Sequence, residues 1–202
     1  ITADAVTQVI YPVERGRKRE MLSYLIRKGD WKQVLVFVRT RYGADKLTAE
    51  LLANGLRAAA IHSNKSQSLR TRTLAEFKRG EVRVLVATDV AARGLDIERL
   101  PYVVNYDLPQ VSEDYVHRIG RTGRAGEVGV AISFFSPEEQ LLLQAIEKLL
   151  TYSIPRQIIA EFQQSAVKRG GKAKAAKAGK EKSQAKKKAK PAATAAKPGK
   201  FG

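Results

Sequence analysis

Short runs of consecutive apolar residues alternate with helix-like stretches along most of this chain, and this alternation constrains the fold more than any other feature. Val34-Leu35-Val36-Phe37-Val38 is continuous, as is typical of a strand buried on both faces of a sheet. Because strand and helix alternate at least four times, the sequence predicts an α/β fold in which helices cover both faces of a parallel sheet. The predicted strands are 6–13, 34–38, 58–61, 82–87, 103–106 and 128–135.

Capping and breaking residues mark the ends of these elements. Pro12 places the first strand at a sheet edge or at a strand end. The predicted helices are 17–28, ended by Gly29; 41–54; one capped by Ser66 and stopped by Gly80; a short one capped by Ser112; and one opened by Ser136-Pro137-Glu138-Glu139. Side chains expected to face inward include Leu47, Leu51, Leu52, Leu69, Thr73, Leu74, Phe77, Leu142, Ile146 and Leu149.

Polar residues follow several of the predicted strands. They are Arg39-Thr40, the segment 62–67, Thr88-Asp89 and Asp107. Open parallel sheets bind ligands beyond the carboxyl ends of their strands. The sequence therefore predicts a binding site at that edge.

Residues 117–126 read His-Arg-Ile-Gly-Arg-Thr-Gly-Arg-Ala-Gly, with Arg118, Arg121 and Arg124 at every third position. A guanidinium presents a planar fork of donors that suits phosphate oxygens, and glycine lets the backbone form a tight turn beside a ligand. Taken alone, the segment fits either a phosphate site, a basic surface loop, or an arginine-glycine stretch that binds RNA without chemistry.

A second polar segment, 88–96, follows the strand at 82–87. Its small residues, Gly94 among them, leave room for a nucleotide to approach. Asp96 offers an acceptor for ribose hydroxyls, or it serves as a turn or capping aspartate.

Together these segments resemble the C-terminal RecA-like domain of a DEAD-box RNA helicase, over roughly residues 6–150. The motifs occur in the family's order: 36–40 is similar to motif IV, 67–80 to motif IVa, 87–96 to motif V, and 117–124 to motif VI. The loop His62-Ser63-Asn64-Lys65 departs from the family, which usually has His-Gly before the basic residue.

The resemblance implies roles for matching residues. Arg121 and Arg124 would contact the γ-phosphate of ATP, with Arg124 as the arginine finger, and His117 would couple to an acidic motif of a partner domain. Asp96, beside Gly94, would bind the ATP ribose. The residues that would line the RNA backbone are Arg39, Thr40, Lys65, Thr88 and Arg93. Alternatively, the two threonines only form hydrogen bonds within turns, and Lys65 and Arg93 are solvated or ion-paired charges at the surface.

The sequence contains neither a Gly-x-x-x-x-Gly-Lys-Thr phosphate loop nor an Asp-Glu-Ala-Asp segment. The resemblance therefore implies that the Mg²⁺ ligands and the phosphate cradle lie on an N-terminal RecA-like domain. We expect this chain to be the second half of a two-domain motor, cut at the linker, and to hydrolyse no ATP by itself.

The net charge of +17 is concentrated at the end of the chain. Residues 165–202 contain thirteen Lys or Arg and one acid, which gives +12 and leaves +5 for 1–164. We predict a domain over 1–164, with 151–164 as a short packed extension, and a disordered basic tail over 165–202. The chain has no cysteine, two histidines and no apolar run long enough for a membrane span, so a metal cluster is disfavoured and a cytoplasmic location is expected.

Two other functions remain open at this stage. One is a non-catalytic RNA-binding module that acts mainly through the tail. The other is half of a related DNA helicase, although His117 favours the RNA family because DNA helicases more often have glutamine there.

Overall fold

The computed structural model describes residues 6–123 and 129–163. Within these ranges the strands form one six-stranded sheet in the order β1-β6-β5-β2-β4-β3, and every neighbouring pair is parallel. The strands are β1 Val6–Pro12, β2 Val34–Phe37, β3 Ala58–Ile61, β4 Val84–Ala87, β5 Tyr102–Asn105 and β6 Gly129–Phe135. The α/β fold predicted from the alternation is confirmed.

The helices connect these strands and cover both faces of the sheet. They are α1 Lys18–Lys28, α2 Arg41–Ala53, α3 Gln67–Lys78, α4 Asp89–Ala92, α5 Ser112–Ile119 and α6 Gln140–Leu150. Short 3₁₀ turns at Arg15–Arg17 and Pro137–Glu139 precede α1 and α6.

The central strand β2 shows why its sequence is apolar throughout. Val34 and Val36 pack with α1 and α2 on one face, whereas Leu35 and Phe37 pack with α3 and α4 on the other. Helices α5 and α6 form a further core with Ile10 and neighbouring residues of β1 and β6. Because successive side chains of a strand point to opposite faces, every position of a strand covered on both faces is buried, and apolar residues are favoured throughout.

Strand β1 lies at the edge of the sheet and pairs with β6. Pro12 ends this strand, so its missing N–H removes no bond from the interior of the sheet. On the other side of β1, Ile10 N–H donates to Pro155 O and Gln157 N–H donates to Ile10 O, both at 2.8 Å. The chain beyond α6 therefore returns to cover part of the edge strand, and Phe162 is buried against the core.

Three leucines predicted to face the core are exposed instead: Leu52, Leu69 and Leu149. In α6 the buried positions are Leu143, Ile146 and Leu150. Ile146 was predicted correctly, whereas the other two lie one residue beyond the predicted Leu142 and Leu149. Adjacent helical residues differ in direction by about 100°, so a shift of one position is enough to move a side chain out of the core.

The predicted caps were correct in two of three helices. Ser66 Oγ accepts a hydrogen bond from Leu69 N–H at 3.2 Å, and Ser136 forms a reciprocal capping box with Glu139. The third prediction was wrong: α5 begins at Ser112, and its N-cap, Val111, makes no side-chain capping bond. The segment 165–202, predicted to be a disordered tail, lies outside the described residues. No helix in the described part of the chain is long and apolar enough to cross a membrane.

Candidate functional site

The loops that carry the predicted site residues meet at one edge of the sheet, because all the strands run parallel. Backbone bonds link the strand ends there: Val38 N–H donates to Ala87 O at 3.0 Å, and Tyr106 N–H donates to Phe37 O at 3.0 Å. Thr88 N–H reaches Ile61 O at 3.4 Å. The segments after β2, β3, β4 and β5 therefore form one continuous surface.

Arg118 lies inside the domain, unlike the phosphate-facing arginine suggested by its place in the run. Its side chain is 2% exposed. Nε and Nη2 donate to the two carboxylate oxygens of Asp89 at 2.6 and 2.7 Å. Nη1 donates to Asn105 Oδ1 at 3.1 Å and to Asp107 O at 2.7 Å. Arg118 thus joins the ends of β4 and β5 to α5, and its role is structural.

Arg121 is half-buried and faces the loop that carries Asp96. Its Nη1 donates to Leu95 O at 3.0 Å and lies 3.5 Å from Ile97 O, so its two acceptors flank Asp96 in sequence. The main chain of Arg121 contacts the same segment, since Leu100 N–H donates to Arg121 O at 3.0 Å. The structure therefore brings together the predicted phosphate-binding arginine and the predicted ribose-binding loop.

The turn after Arg121 is packed closely against β6. A Cβ placed on Gly129 would lie 1.9 Å from Thr122 Oγ1 and 2.2 Å from Gly123 N, so a larger residue could not start β6 here. Gly123 has φ +64°, a conformation that favours glycine. Arg124, the predicted arginine finger, follows directly and lies outside the described residues.

Asp96 presents a carboxylate to solvent. Its side chain is 89% exposed and pairs with Lys78 Nζ of α3 at 2.8 Å. The hydrogen bond from Lys78 holds the pKa of Asp96 below its usual range, so the group is an ionised acceptor at neutral pH. Gly94, two residues earlier, has φ +79° and nothing near its Cα that a side chain would meet. This open turn leaves the approach to Asp96 clear.

His117 and Arg93 both line a small cleft. His117 is exposed on α5, one turn from Asp114, whose Oδ1 accepts from Arg93 Nη2 at 2.6 Å. Asp89, Arg118 and Arg121 line the same cleft. The segments 88–96 and 117–121 thus share a surface that offers exposed donors to an anionic ligand.

Arg39 and Thr40 begin the loop after β2. Asp107 Oδ2 accepts from Arg39 N–H at 2.9 Å, and the Arg39 guanidinium is exposed, with Nη2 3.8 Å from Glu139 Oε1. Thr40 caps α2, since its Oγ1 accepts from Gly43 N–H at 2.9 Å. The cap uses the Thr40 hydroxyl as an acceptor, so its O–H can still donate a hydrogen bond.

The remaining two predicted RNA contacts differ in accessibility. Thr88 is buried at the start of α4, so its side chain offers little surface. Lys65 lies in the loop between β3 and α3, with Nζ 2.9 Å from Asp45 Oδ1. Both stand at the carboxyl edge of the sheet.

A buried ion pair beside this surface was missed by sequence reasoning. Lys18 is 1% exposed, and its Nζ donates to Glu139 Oε2 and to Tyr106 O, both at 2.8 Å. Burial by itself would raise the pKa of Glu139, but the Lys18 ammonium and bonds from Ser136 and Leu108 N–H groups hold it below its usual range. The partners are 121 positions apart in sequence, and no local pattern connects them.

Among residues 6–123 and 129–163, no group of three or more histidine, aspartate and glutamate side chains is arranged to hold a metal ion.

Residues 17–126 match the family described as helicase conserved C-terminal domain. The chain is 46% identical over 147 residues to DEAD-box ATP-dependent RNA helicase 30 of Arabidopsis thaliana; the match covers 72% of this chain and 25% of that protein. This chain thus spans about a quarter of the length of that curated relative.

Solved structures show the same likeness. The E. coli DEAD-box protein SrmB, solved bound to regulator of ribonuclease activity A, aligns with a TM-score of 0.74 at 34% identity, over 78% of this chain and 93% of that one. Dbp5 of S. cerevisiae, solved bound to RNA and ADP BeF3, aligns with a TM-score of 0.73 at 32% identity, over 82% of this chain and 44% of that one.

Proposed function

Because this chain belongs to the helicase conserved C-terminal domain family, and is the C-terminal RecA-like domain of a DEAD-box RNA helicase, we propose that it forms half of an ATP-dependent enzyme that unwinds RNA duplexes. In this proposal an N-terminal RecA-like domain supplies the phosphate cradle and the Mg²⁺ ligands. The present domain supplies arginines to the nucleotide and a surface to the RNA backbone.

The observation that carries the proposal is the contact between Arg121 and the loop of Asp96. Arg121 Nη1 donates to Leu95 O at 3.0 Å, so the guanidinium is held against the residue directly before Asp96, whose carboxylate is exposed. A guanidinium has five N–H donors, more than these backbone contacts use. The remaining donors are suited to a phosphate while Asp96 accepts from ribose hydroxyls.

These residues fit ATP better than a neutral ligand. Asp96 is an ionised acceptor in an open turn, and Arg121 and His117 line the neighbouring surface. Hydrolysis of the phosphoanhydride bond between its β- and γ-phosphates would release the free energy that drives unwinding. We assign to Arg121 the binding of its phosphates, to Asp96 the ribose, to His117 a contact with the partner domain, and to Arg124 stabilisation of the negative charge that develops on the transferred phosphoryl group.

The RNA surface of the proposal lies along the same carboxyl edge. Arg39, Thr40 and Lys65 border the loops after β2 and β3, and Thr88 and Arg93 follow β4. Four of these side chains reach the surface and Thr88 does not, so we assign any RNA contact at Thr88 to its backbone. Phosphate-directed contacts of this kind hold RNA without reading its bases. A structural neighbour, Dbp5, has been solved with RNA and ADP BeF3 together.

The test is an ATPase assay with single-stranded RNA. We expect no RNA-stimulated turnover from residues 1–202 alone, and turnover when an N-terminal RecA-like domain is joined to them. Asp96→Ala in the joined enzyme should raise the KM for ATP more than it lowers kcat, because ribose binding is made in the ground state as well. Turnover by the isolated chain above that of its Arg121→Ala variant, in a preparation free of contaminating ATPase, would contradict the two-domain site.

A further inference from the structure

We infer that Asp45 and His62 are positioning residues that hold the Lys65 ammonium in place for an RNA phosphate. The inference rests on the proposed role of Lys65 in RNA binding. It concerns the loop 62–65, which reads His62-Ser63-Asn64-Lys65 where the family usually has His-Gly before the basic residue.

His62 organises the loop from inside the domain. Its side chain is 2% exposed. Nδ1 accepts a hydrogen bond from Asn64 N–H at 3.3 Å, which leaves Nε2 as the ring nitrogen that faces Asp45. The backbone oxygen of His62 accepts from Lys65 N–H at 3.0 Å. One buried residue therefore holds the backbone at two successive positions of the loop.

Asp45, on α2, connects this buried residue to the lysine. Its Oδ2 lies 3.0 Å from His62 Nε2, and its Oδ1 lies 2.9 Å from Lys65 Nζ. The imidazole of His62, and next the ammonium of Lys65, hold the pKa of Asp45 below its usual range, so the carboxylate is ionised at neutral pH. His62 is buried, so it restrains the Asp45 carboxylate that it contacts. That carboxylate in turn restrains the position of the Lys65 ammonium.

A second tie joins the loop to the beginning of α2. Arg41 Nη1 donates to Asn64 Oδ1 at 2.5 Å. Arg41 directly follows Thr40, another proposed RNA contact. The loop 62–65 and the start of α2 are thus held together at three points: Arg41–Asn64, Asp45–His62 and Asp45–Lys65.

The geometry indicates that Asp45 orders the Lys65 ammonium for an RNA phosphate and does not compete with the phosphate for it. An ammonium has three N–H donors, and the contact with Asp45 engages one of them. A lysine side chain that is already ordered loses less conformational entropy when it binds a phosphate. Lys65 is half-buried, so its direction is restricted further by its surroundings.

The test uses the intact two-domain enzyme and compares Asp45→Asn, Lys65→Met and the double variant. The measured quantities are the RNA concentration at half-maximal ATPase activity and kcat at saturating RNA. Asp45→Asn should raise the half-saturating RNA concentration by about threefold to tenfold, the effect of ordering one long side chain on binding. The kcat at saturating RNA should be unchanged, and Asp45→Asn should add nothing in the Lys65→Met background.

Asp30→Asn is the matched control. Asp30 is an exposed carboxylate 2.6 Å from Lys32 Nζ, before β2 and so away from the carboxyl edge, and its replacement changes the net charge by the same amount. His62→Phe, which keeps a ring but loses both nitrogen contacts, should act in the same direction as Asp45→Asn. This variant also tests whether His62 is needed for Asp45 to hold Lys65 in place.

The outcomes separate cleanly. Removing an acid from an RNA site raises its positive charge, so RNA binding equal to or tighter than wild type in Asp45→Asn would show competition and overturn the inference. An equal effect of Asp45→Asn with and without Lys65 would also overturn it, while leaving the RNA role of Lys65 intact. If Lys65→Met left the half-saturating RNA concentration unchanged, both the inference and the proposed RNA role of Lys65 would be refuted. Failure of the wild-type enzyme to respond to RNA at all would instead refute the proposed function.

Discussion

Replacing Arg118 by alanine should destabilise the domain by about 3 kcal/mol, because this arginine is a buried connector. The substitution removes both bonds to Asp89 and leaves the acceptors Asn105 Oδ1 and Asp107 O without their donor. Asn105 is fully buried, so its amide oxygen has no access to water as a replacement. The guanidinium also lies 5.0 Å from the centre of the Phe37 ring, and that packing is lost too.

The magnitude follows from what the substitution leaves behind. Removing one partner of a buried ion pair costs about 3–5 kcal/mol. The lower end applies here because the Asp89 side chain is 25% exposed and can be partly solvated when Arg118 is gone. For a domain of this size, about 3 kcal/mol corresponds to a fall in Tm of roughly 6–12 °C. Arg118→Lys should also destabilise it, since one ammonium cannot reproduce the planar contacts with Asp89 and Asn105.

The assay is urea denaturation followed by circular dichroism, with Arg93→Ala as the matched control. Arg93 also pairs with an aspartate, Asp114, at 2.6 Å, but its side chain is 63% exposed. An exposed pair contributes less than about 1 kcal/mol. A loss below about 1 kcal/mol in Arg118→Ala, or equal losses in the two variants, would refute the structural role of Arg118.

Three further predictions concern catalysis, the tail and acid stability. In the joined two-domain enzyme, Arg124→Ala should lower kcat by far more than tenfold while ATP affinity changes little, because an arginine finger acts mainly in the transition state; a fall of less than about tenfold would contradict that role. Deleting 165–202 should remove most of the RNA affinity of the chain and most of its salt dependence. With six lysines engaged, log K against log salt has a slope of about −4, or roughly 300-fold between 50 and 200 mM, and filter binding that gave equal slopes with and without the segment would refute this. Finally, the pKa of Glu139 is lowered in the fold, so its pair with Lys18 stabilises the protein above the unfolded-state pKa of about 4.3 and is lost as the pH falls through the lower folded-state value. The urea midpoint of Glu139→Gln should therefore be lower at pH 7 and fall less steeply than that of wild type below about pH 4; parallel curves would show that the pair is not the source.

The fold was predictable because its determinants are local. A run such as Val34-Leu35-Val36-Phe37 and the helical stripes around it each depend on residues a few positions apart, and their alternation permits few topologies. Ser66 and Ser136 were recognised as caps for the same reason, since a cap and its partner are three residues apart. The motif order that identified the family is also a property of the linear chain.

The site was predictable only in part. The edge that carries it follows from the parallel sheet, and the proximity of Arg121 to the loop of Asp96 agrees with the motifs. The catalytic and RNA-binding roles of individual residues stay predictions. Lys65 illustrates the limit, because the sequence places it in a loop but does not reveal the carboxylate on α2 that holds it.

Only the tertiary structure shows that Arg118 is buried and that Arg121 faces a cleft. The two residues share a motif and a spacing, yet one is enclosed by Asp89, Asn105 and Asp107 while the other faces the cleft. Likewise, Lys18 and Glu139 look like ordinary surface charges until α1 and the end of β6 are brought together. A charge tolerates burial only where partners converge on it, and those partners come from strands that are neighbours in space but distant along the chain.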